Sequence, residues 1–198
     1  MKNQFRLKNS IKYAIILYKC KERLEKMKEE MKIGVEIERK YIIRMPDMSI
    51  LAAQPEYTRS DIIQIYIQSE PGVTHRVRRR RYQDRVEYIE NKKIRIDSIS
   101  STEIETEIDE SRFDELSQGI LEGSRPVLKT RHTFRLEGQV FEIDVYPEWT
   151  STAVMETELQ SREERAEIPP FIEVIKEVTG DRSYSNASMS RSFPSEVI

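Results

Sequence analysis

From Ile33 onward, polar and apolar residues alternate with a period of two, the pattern of strands whose two faces meet different surroundings. The alternation predicts strands at 33–43, 62–69, 74–82, 85–93, 101–108, 127–136, 139–146 and 153–160. Pro71-Gly72, Gln83-Asp84 and Glu137-Gly138 punctuate this series, and the last two fit tight hairpins. Two segments shift to helical spacing: Asp109 to Leu121, with Phe113, Leu116 and Ile120 on one side, and Pro169 to Val178, with Phe171, Val174, Ile175 and Val178. Both are expected as amphipathic helices lying on a sheet. Residues 1–30 have neither Gly nor Pro and carry helical charge spacing in KCKERLEKMKEE, so they read as a helical amino-terminal extension. That extension is equally well read as a solvated helix with no role, and a second Met at position 31 directly precedes the first strand.

The residues that share a strand face are unusual. Glu36, Glu38 and Lys40 point one way in the first strand, and Arg76, Arg78 and Arg80 share a face in the third. Glu103, Glu105 and Glu107 line up in the fifth strand, and Lys129, Arg131, Thr133 and Arg135 in the sixth. Glu142, Asp144 and Tyr146 follow in the seventh, and Glu156 and Glu158 in the eighth. An ordinary half-buried sheet with its charges in water gives the same alternation. The segregation of basic residues on some strands and acidic residues on others favours another arrangement. In it, eight antiparallel strands close into a barrel with a charged interior and helices packed outside, an α+β fold that is mainly antiparallel β. Buried charges on this scale need partners, and a polyanion with hard cations supplies them: Lys and Arg meet phosphates, and carboxylates hold Mg²⁺ or Mn²⁺ through oxygen.

At these residues the chain resembles the CYTH superfamily, the triphosphate tunnel metalloenzymes, and its bacterial members in particular. The resemblance rests on Glu36-Ile37-Glu38-Arg39-Lys40, on His75-Arg76-Val77-Arg78-Arg79, and on a lysine ending the fourth strand at Lys92 or Lys93. It continues through Glu103-Ile104-Glu105, Lys129-Thr130-Arg131, Phe141 to Tyr146 and Glu156-Thr157-Glu158-Leu159, with a tail from Thr179 to Asn186. It implies a tunnel domain over 31–190, followed by a tail over 191–198. It also implies hydrolysis of a triphosphate, foremost inorganic triphosphate. The alternatives are a class IV-type adenylate cyclase, a thiamine or nucleoside triphosphatase, and a protein that binds polyphosphate or a nucleotide without turnover.

Carried over residue by residue, Glu36, Glu38, Glu156 and Glu158 become metal ligands, and Asp144 joins them by binding metal through water or by orienting the basic residues; Glu103 and Glu105 are second choices for metal or structure. Arg76, Arg78, Lys92, Lys129 and Arg131 would contact phosphates, and Arg80 is expected to lie beyond the tunnel. Gln64-Ile65-Tyr66-Ile67 matches the Gln-Gly-Tyr-Leu segment of bacterial members, with Ile65 in place of the glycine. It implies a catalytic pair of Tyr66 and Lys40 meeting across adjacent strands. Ser100-Ser101-Thr102 departs from the family by lacking an arginine before the fifth strand's Glu-x-Glu.

Charge balance sharpens this reading. Lys plus Arg number 33 against 35 Asp plus Glu, so no global excess suggests a nucleic-acid partner, and any electrostatic function is local. Cys20, the one cysteine, excludes an internal disulfide or a cysteine-ligated zinc site and fits a reducing compartment, the cytoplasm being expected. The apolar run from Tyr13 to Tyr18 is far short of a membrane span. The expected partner is thus a small triphosphate-containing molecule, without nucleic acid or membrane, and assembly as a homodimer is left open.

Overall fold

A computed structural model describes residues 31–197. All but the first two of the described residues belong to one compact unit that begins at Ile33. The helical extension expected over 1–30 lies outside the described residues.

The strands are β1 (Met31–Arg44), β2 (Thr58–Ile67), β3 (Val73–Arg81), β4 (Val86–Arg95), β5 (Ser100–Ile108), β6 (Val127–Leu136), β7 (Gln139–Val145), β8 (Thr152–Glu158) and β9 (Val174–Glu177). They pair in the order β5-β4-β3-β2-β6-β7-β8-β1-β9, and an added β5–β1 pairing closes β1 to β8 into an eight-stranded antiparallel barrel. Each expected strand is present, β6 to the residue. Strand β2 begins earlier than its polar start suggests, because Thr58 to Asp61 are held in register by β6. The β6–β7 connection has positive φ at both Glu137 (50°) and Gly138 (86°), as a two-residue hairpin turn with the right twist requires.

The helices are α1 (Met48–Ala52), α2 (Glu110–Ser117) and α3 (Asn186–Met189), each begun by a side chain that accepts from a backbone N–H of its first turn: Asp47, Asp109 and Ser185. Helix α2 confirms the first expected helix in shortened form. Its Phe113 packs with Ile67 and Val77 on the outer faces of β2 and β3.

The helix expected over 169–178 is corrected: Val174–Glu177 is a strand, β9. The apolar spacing there suits either period, and tertiary context decides between them. The first half of β1 meets β5, where the Glu38 amide donates to the Ile99 carbonyl, but its second half has an open edge beyond β8. Strand β9 fills that edge, pairing Tyr41 with Glu177 and Ile42 with Lys176, and the Val178 amide donates to the Lys40 carbonyl.

The apolar faces turn outward. Tyr41, Ile43, Phe134, Phe141, Ile143, Ala153 and Met155 form an outer core covered by Leu51 of α1 and Ile172. Inside, the polar series ends on apolar residues at one end of the barrel. There Ile42, Val154, Tyr146, Val127 and Tyr66 pack with Trp149, Val178, Tyr184 and Met189. The segment expected as a tail over 191–198 is bound here: the Trp149 indole N–H donates to the Pro194 carbonyl (3.1 Å), and the Glu196 carboxylate accepts the Thr150, Ser151 and Thr152 amides.

Candidate functional site

The inward-facing residues of the eight strands enclose a cavity of about 340 Å³. Its walls differ in how their charges are matched.

On β6, β7, β8 and β1 the charges are matched to one another. Arg131 donates from Nε and Nη2 to the two Asp144 oxygens, both at 2.7 Å, from Nη2 to Glu156 at 3.1 Å, and from Nη1 to Glu142. Lys129 Nζ lies 2.5 Å from Asp144, and Lys40 Nζ lies 2.6 Å from Glu156. Burial alone would raise both carboxyls, but Arg131 and Lys129 hold Asp144 below its ordinary value. Lys40, then Arg131 and Lys129, hold Glu156 well below the usual carboxylate range. Burial and then Arg131 push Lys129 down to about 7 against the pull of Asp144.

On β3 the lining charges are only partly matched. Arg76, Arg78 and Arg80 all line the cavity, and Arg76 reaches one carboxylate, Glu103, at 3.3 Å. Among the described residues, neither Arg78 nor Arg80 has a carboxylate within ion-pair distance, although Arg78 is only 6% exposed. Burial and the repulsion of Arg76, Arg80 and Arg131 push Arg78 down to about 9, still charged at neutral pH. Tyr66 lies beside this row, its phenol pushed up by burial against the pull of Arg76, Arg78 and Lys40.

The third feature is a crowd of carboxylates on β1, β5, β7 and β8: Glu36, Glu38, Glu103, Glu105, Glu142 and Glu158 all line the cavity. Burial, then Glu103, pushes the Glu36 carboxyl up to about 8, and burial with Glu142, Glu38 and Glu103 raises Glu158. Lys93 Nζ sits among them, 2.5 Å from Glu103, 3.5 Å from Glu36 and 3.9 Å from Glu38, as the nearest counter-cation. Glu103 also accepts from Asn91 Nδ2 at 2.7 Å and is held down to about 2, Arg76 and Lys93 outweighing burial. Among the described residues no three acidic or His side chains are gathered at ligating distance. The donor set nevertheless fits a hard divalent cation: all oxygens, partly buried, and too crowded to be fully ionised without added positive charge.

Most carried-over residues converge on this one cavity: Glu36, Glu38, Lys40, Tyr66, Arg76, Arg78, Glu103, Glu105, Lys129, Arg131, Glu156 and Glu158. Two placements are corrected, those of Lys92 and Arg80. Lys92 points outward, about half exposed and 3.5 Å from Glu90, because β4 directs its odd-numbered residues inward; Lys93 is the lining lysine. Asp144 is fully buried behind the lining and pairs with Lys129 and Arg131, the arrangement that its role of orienting the basic residues requires. Arg80, expected beyond the tunnel, lines it. Tyr66 and Lys40 are not on adjacent strands, since β2 pairs with β3 and β6, so they face each other across the cavity. Glu142, Arg95 and the Ser185-Asn186-Ala187 segment also line it, and the sequence reading gives them no role. Strand parity is enough to find Glu142. Arg95 stands opposite Ser101, and so brings a guanidinium to the stretch that lacks the family's arginine.

No protein-family profile matches the chain, and none of the curated proteins matches it. Solved structures do. The inorganic triphosphatase NE1496 is 29% identical with a TM-score of 0.52, over 81% of this chain and 97% of that one. The PH1819 protein from Pyrococcus horikoshii OT3 is 25% identical with a TM-score of 0.51, over 65% of this chain and 81% of that one. No helix among the described residues is long and apolar enough to cross a membrane. A closed eight-stranded barrel, inward-facing charges on every motif strand and this likeness over nearly the full length of NE1496 are consistent with the CYTH superfamily.

Proposed function

We propose that the protein hydrolyses inorganic triphosphate with the help of Mg²⁺ or Mn²⁺. The observation that carries this reading is the Arg76-Arg78-Arg80 row, which faces an overcrowded carboxylate wall inside one enclosed cavity. Neither surface is fully neutralised by the protein itself, and a polyphosphate with a divalent cation completes both. The activity named for NE1496 supports the same substrate class. The cavity, at about 340 Å³, is in the usual range for small-ligand sites.

In this reading Arg76, Arg78 and Arg80 grip non-bridging phosphate oxygens, and Lys93 and Lys129 add positive charge along the chain of phosphates. Lys40 and Tyr66 flank the phosphoryl group that reacts. Glu36, Glu38 and Glu158 would hold the cation, which when bound neutralises phosphate charge and favours deprotonation of water. Water attacks a terminal phosphorus, its bond to the bridging oxygen breaks, and pyrophosphate leaves while the water protons pass to product and solvent. Phosphoryl transfer needs little covalent help, so positioning and charge neutralisation supply most of the acceleration.

A substrate panel tests this. With either cation, phosphate release from tripolyphosphate should exceed that from ATP and thiamine triphosphate, and a chelator should abolish it. Cyclic AMP plus pyrophosphate from ATP would establish the cyclase alternative instead, and tight binding of every triphosphate without turnover would make the chain a binding protein.

A further inference from the structure

Between the arginine row and Tyr66 lies a side chain that touches no lumen of its own. Gln64 is fully buried on β2, facing inward, and does not border the cavity. Its Oε1 accepts from Arg78 Nε at 3.3 Å, and its Nε2 donates to the Tyr66 hydroxyl oxygen at 2.7 Å.

The chemistry of these groups allows one orientation. A guanidinium has N–H groups and no acceptor, so the amide oxygen of Gln64 must face Arg78. The amide NH₂ is thereby turned to Tyr66, whose oxygen must accept. With that oxygen accepting from Gln64, the Tyr66 hydroxyl hydrogen is turned away from the amide and is left to offer to an acceptor in the cavity. Arg78 is fixed by the same logic, because its Nε is tethered at the back and its two terminal nitrogens, which have no partner among the described residues, are left for an anion.

We propose that Gln64 is a positioning residue: its amide aims the Arg78 fork at the substrate and makes the Tyr66 hydroxyl a hydrogen-bond donor to a phosphate oxygen. The inference rests on the triphosphatase reading above, and concerns how the site is ordered rather than whether it turns over. Tyr66 is raised by burial and stays a neutral phenol at working pH, in keeping with a donor.

The test uses Gln64→Leu, Gln64→Glu and Tyr66→Phe in the full chain, with tripolyphosphate and Mg²⁺. Leu removes both contacts, so kcat should fall about tenfold or more and KM should rise several-fold. Glu keeps an acceptor for Arg78 but, when ionised, also accepts from Tyr66 and reverses its hydroxyl. KM should then stay near wild type while kcat falls about tenfold, recovering relative to wild type as pH drops and the introduced carboxylate is protonated back to a donor. In the Tyr66→Phe background, Gln64→Glu should cost at most about twofold more. Wild-type kcat and pH profile in folded Gln64→Glu protein, or equal losses in both backgrounds, would overturn the inference. Should wild-type protein bind tripolyphosphate without turnover, the triphosphatase reading fails and Gln64 is judged by calorimetry. Affinity should then weaken about tenfold in Gln64→Leu and little in Gln64→Glu, and unchanged affinity in Gln64→Leu would overturn it. Neither binding nor turnover by wild type would overturn both.

Discussion

Arg131 and Arg78 are the same residue type on inward-facing positions of the same barrel, both less than a tenth exposed, yet their surroundings are opposites. Arg131 is surrounded by Asp144, Glu142 and Glu156, and every one of its N–H-bearing nitrogens has a carboxylate. Arg78 has a single neutral acceptor, Gln64, and three cations for neighbours. A buried charge without a partner costs several kcal/mol, on the order of the whole stability margin of a domain, so its persistence calls for an explanation outside the fold. Arg131 is satisfied within the fold, whereas Arg78 is left for an anion.

The largest effects should separate the two walls. Asp144→Asn strips Lys129 and Arg131 of their shared counter-ion, and denaturant unfolding should show a loss of about 3–5 kcal/mol. Arg78→Met removes a charge that its neighbours repel, so stability should hold or rise. Its turnover of tripolyphosphate should nevertheless fall roughly 10²-fold, as for loss of one donor aimed at developing charge. Equal stability losses in the two variants would erase the distinction between the walls.

The carboxylate wall gives a second, smaller contrast, in pH. The Glu36 carboxyl lies at about 8 in the folded protein, above its ordinary value of 4.5. The folded state therefore binds more protons than the unfolded chain between those values. The associated stability is complete below about pH 4.5 and is lost as pH rises through about 8. In metal-free protein, thermal midpoints measured from pH 5 to 8.5 should decline more for wild type than for Glu36→Gln. Millimolar Mg²⁺ should reduce that difference, because a cation then does what the proton did, and its addition at pH 7 should release protons. A wild-type slope matching that of Glu36→Gln, with no proton release, would argue against a cation at these carboxylates.

How much of the molecule is legible in the sequence follows from the same physics. Period-two alternation reads directly, because a strand's parity assigns each residue to a face whatever its partners are. That is why Glu36, Glu38, Arg76, Arg78, Glu103 and Glu158 can be gathered into one cavity before any pairing is known. Pairing itself is not written in parity. Placing Tyr66 and Lys40 on adjacent strands fails because β1 and β2 are separated on one side by β6, β7 and β8. The helical reading of 169–178 fails because Phe171, Ile172, Val174, Ile175 and Val178 put apolar residues on both parities as well as at helical spacing, and only the open edge of β1 decides between them. The difference between Arg131 and Arg78 is equally hidden, since it depends on which carboxylates lie across the lumen.

The smallest contrast is between neighbours in sequence. Lys92 and Lys93 both suit a lysine at the end of a strand, and the resemblance alone does not choose between them. Parity on β4 does: Asn91, Lys93 and Arg95 face in, with Lys93 among Glu36, Glu38 and Glu103. Lys92 faces out beside Glu90, in a half-exposed ion pair of the kind that contributes little. Lys93→Ala should leave the carboxylates without their counter-cation and lower turnover about tenfold, with the loss partly recovered at high Mg²⁺ as the cation takes over the ammonium's role. Lys92→Ala should keep turnover within about twofold and stability within about 0.5 kcal/mol. Steady-state kinetics of the two variants across a Mg²⁺ series is a sufficient measurement. A deep loss in Lys92→Ala with Lys93→Ala unaffected would mean that β4 is in the opposite register, and would move every inward-facing residue of that strand to the other side of the wall.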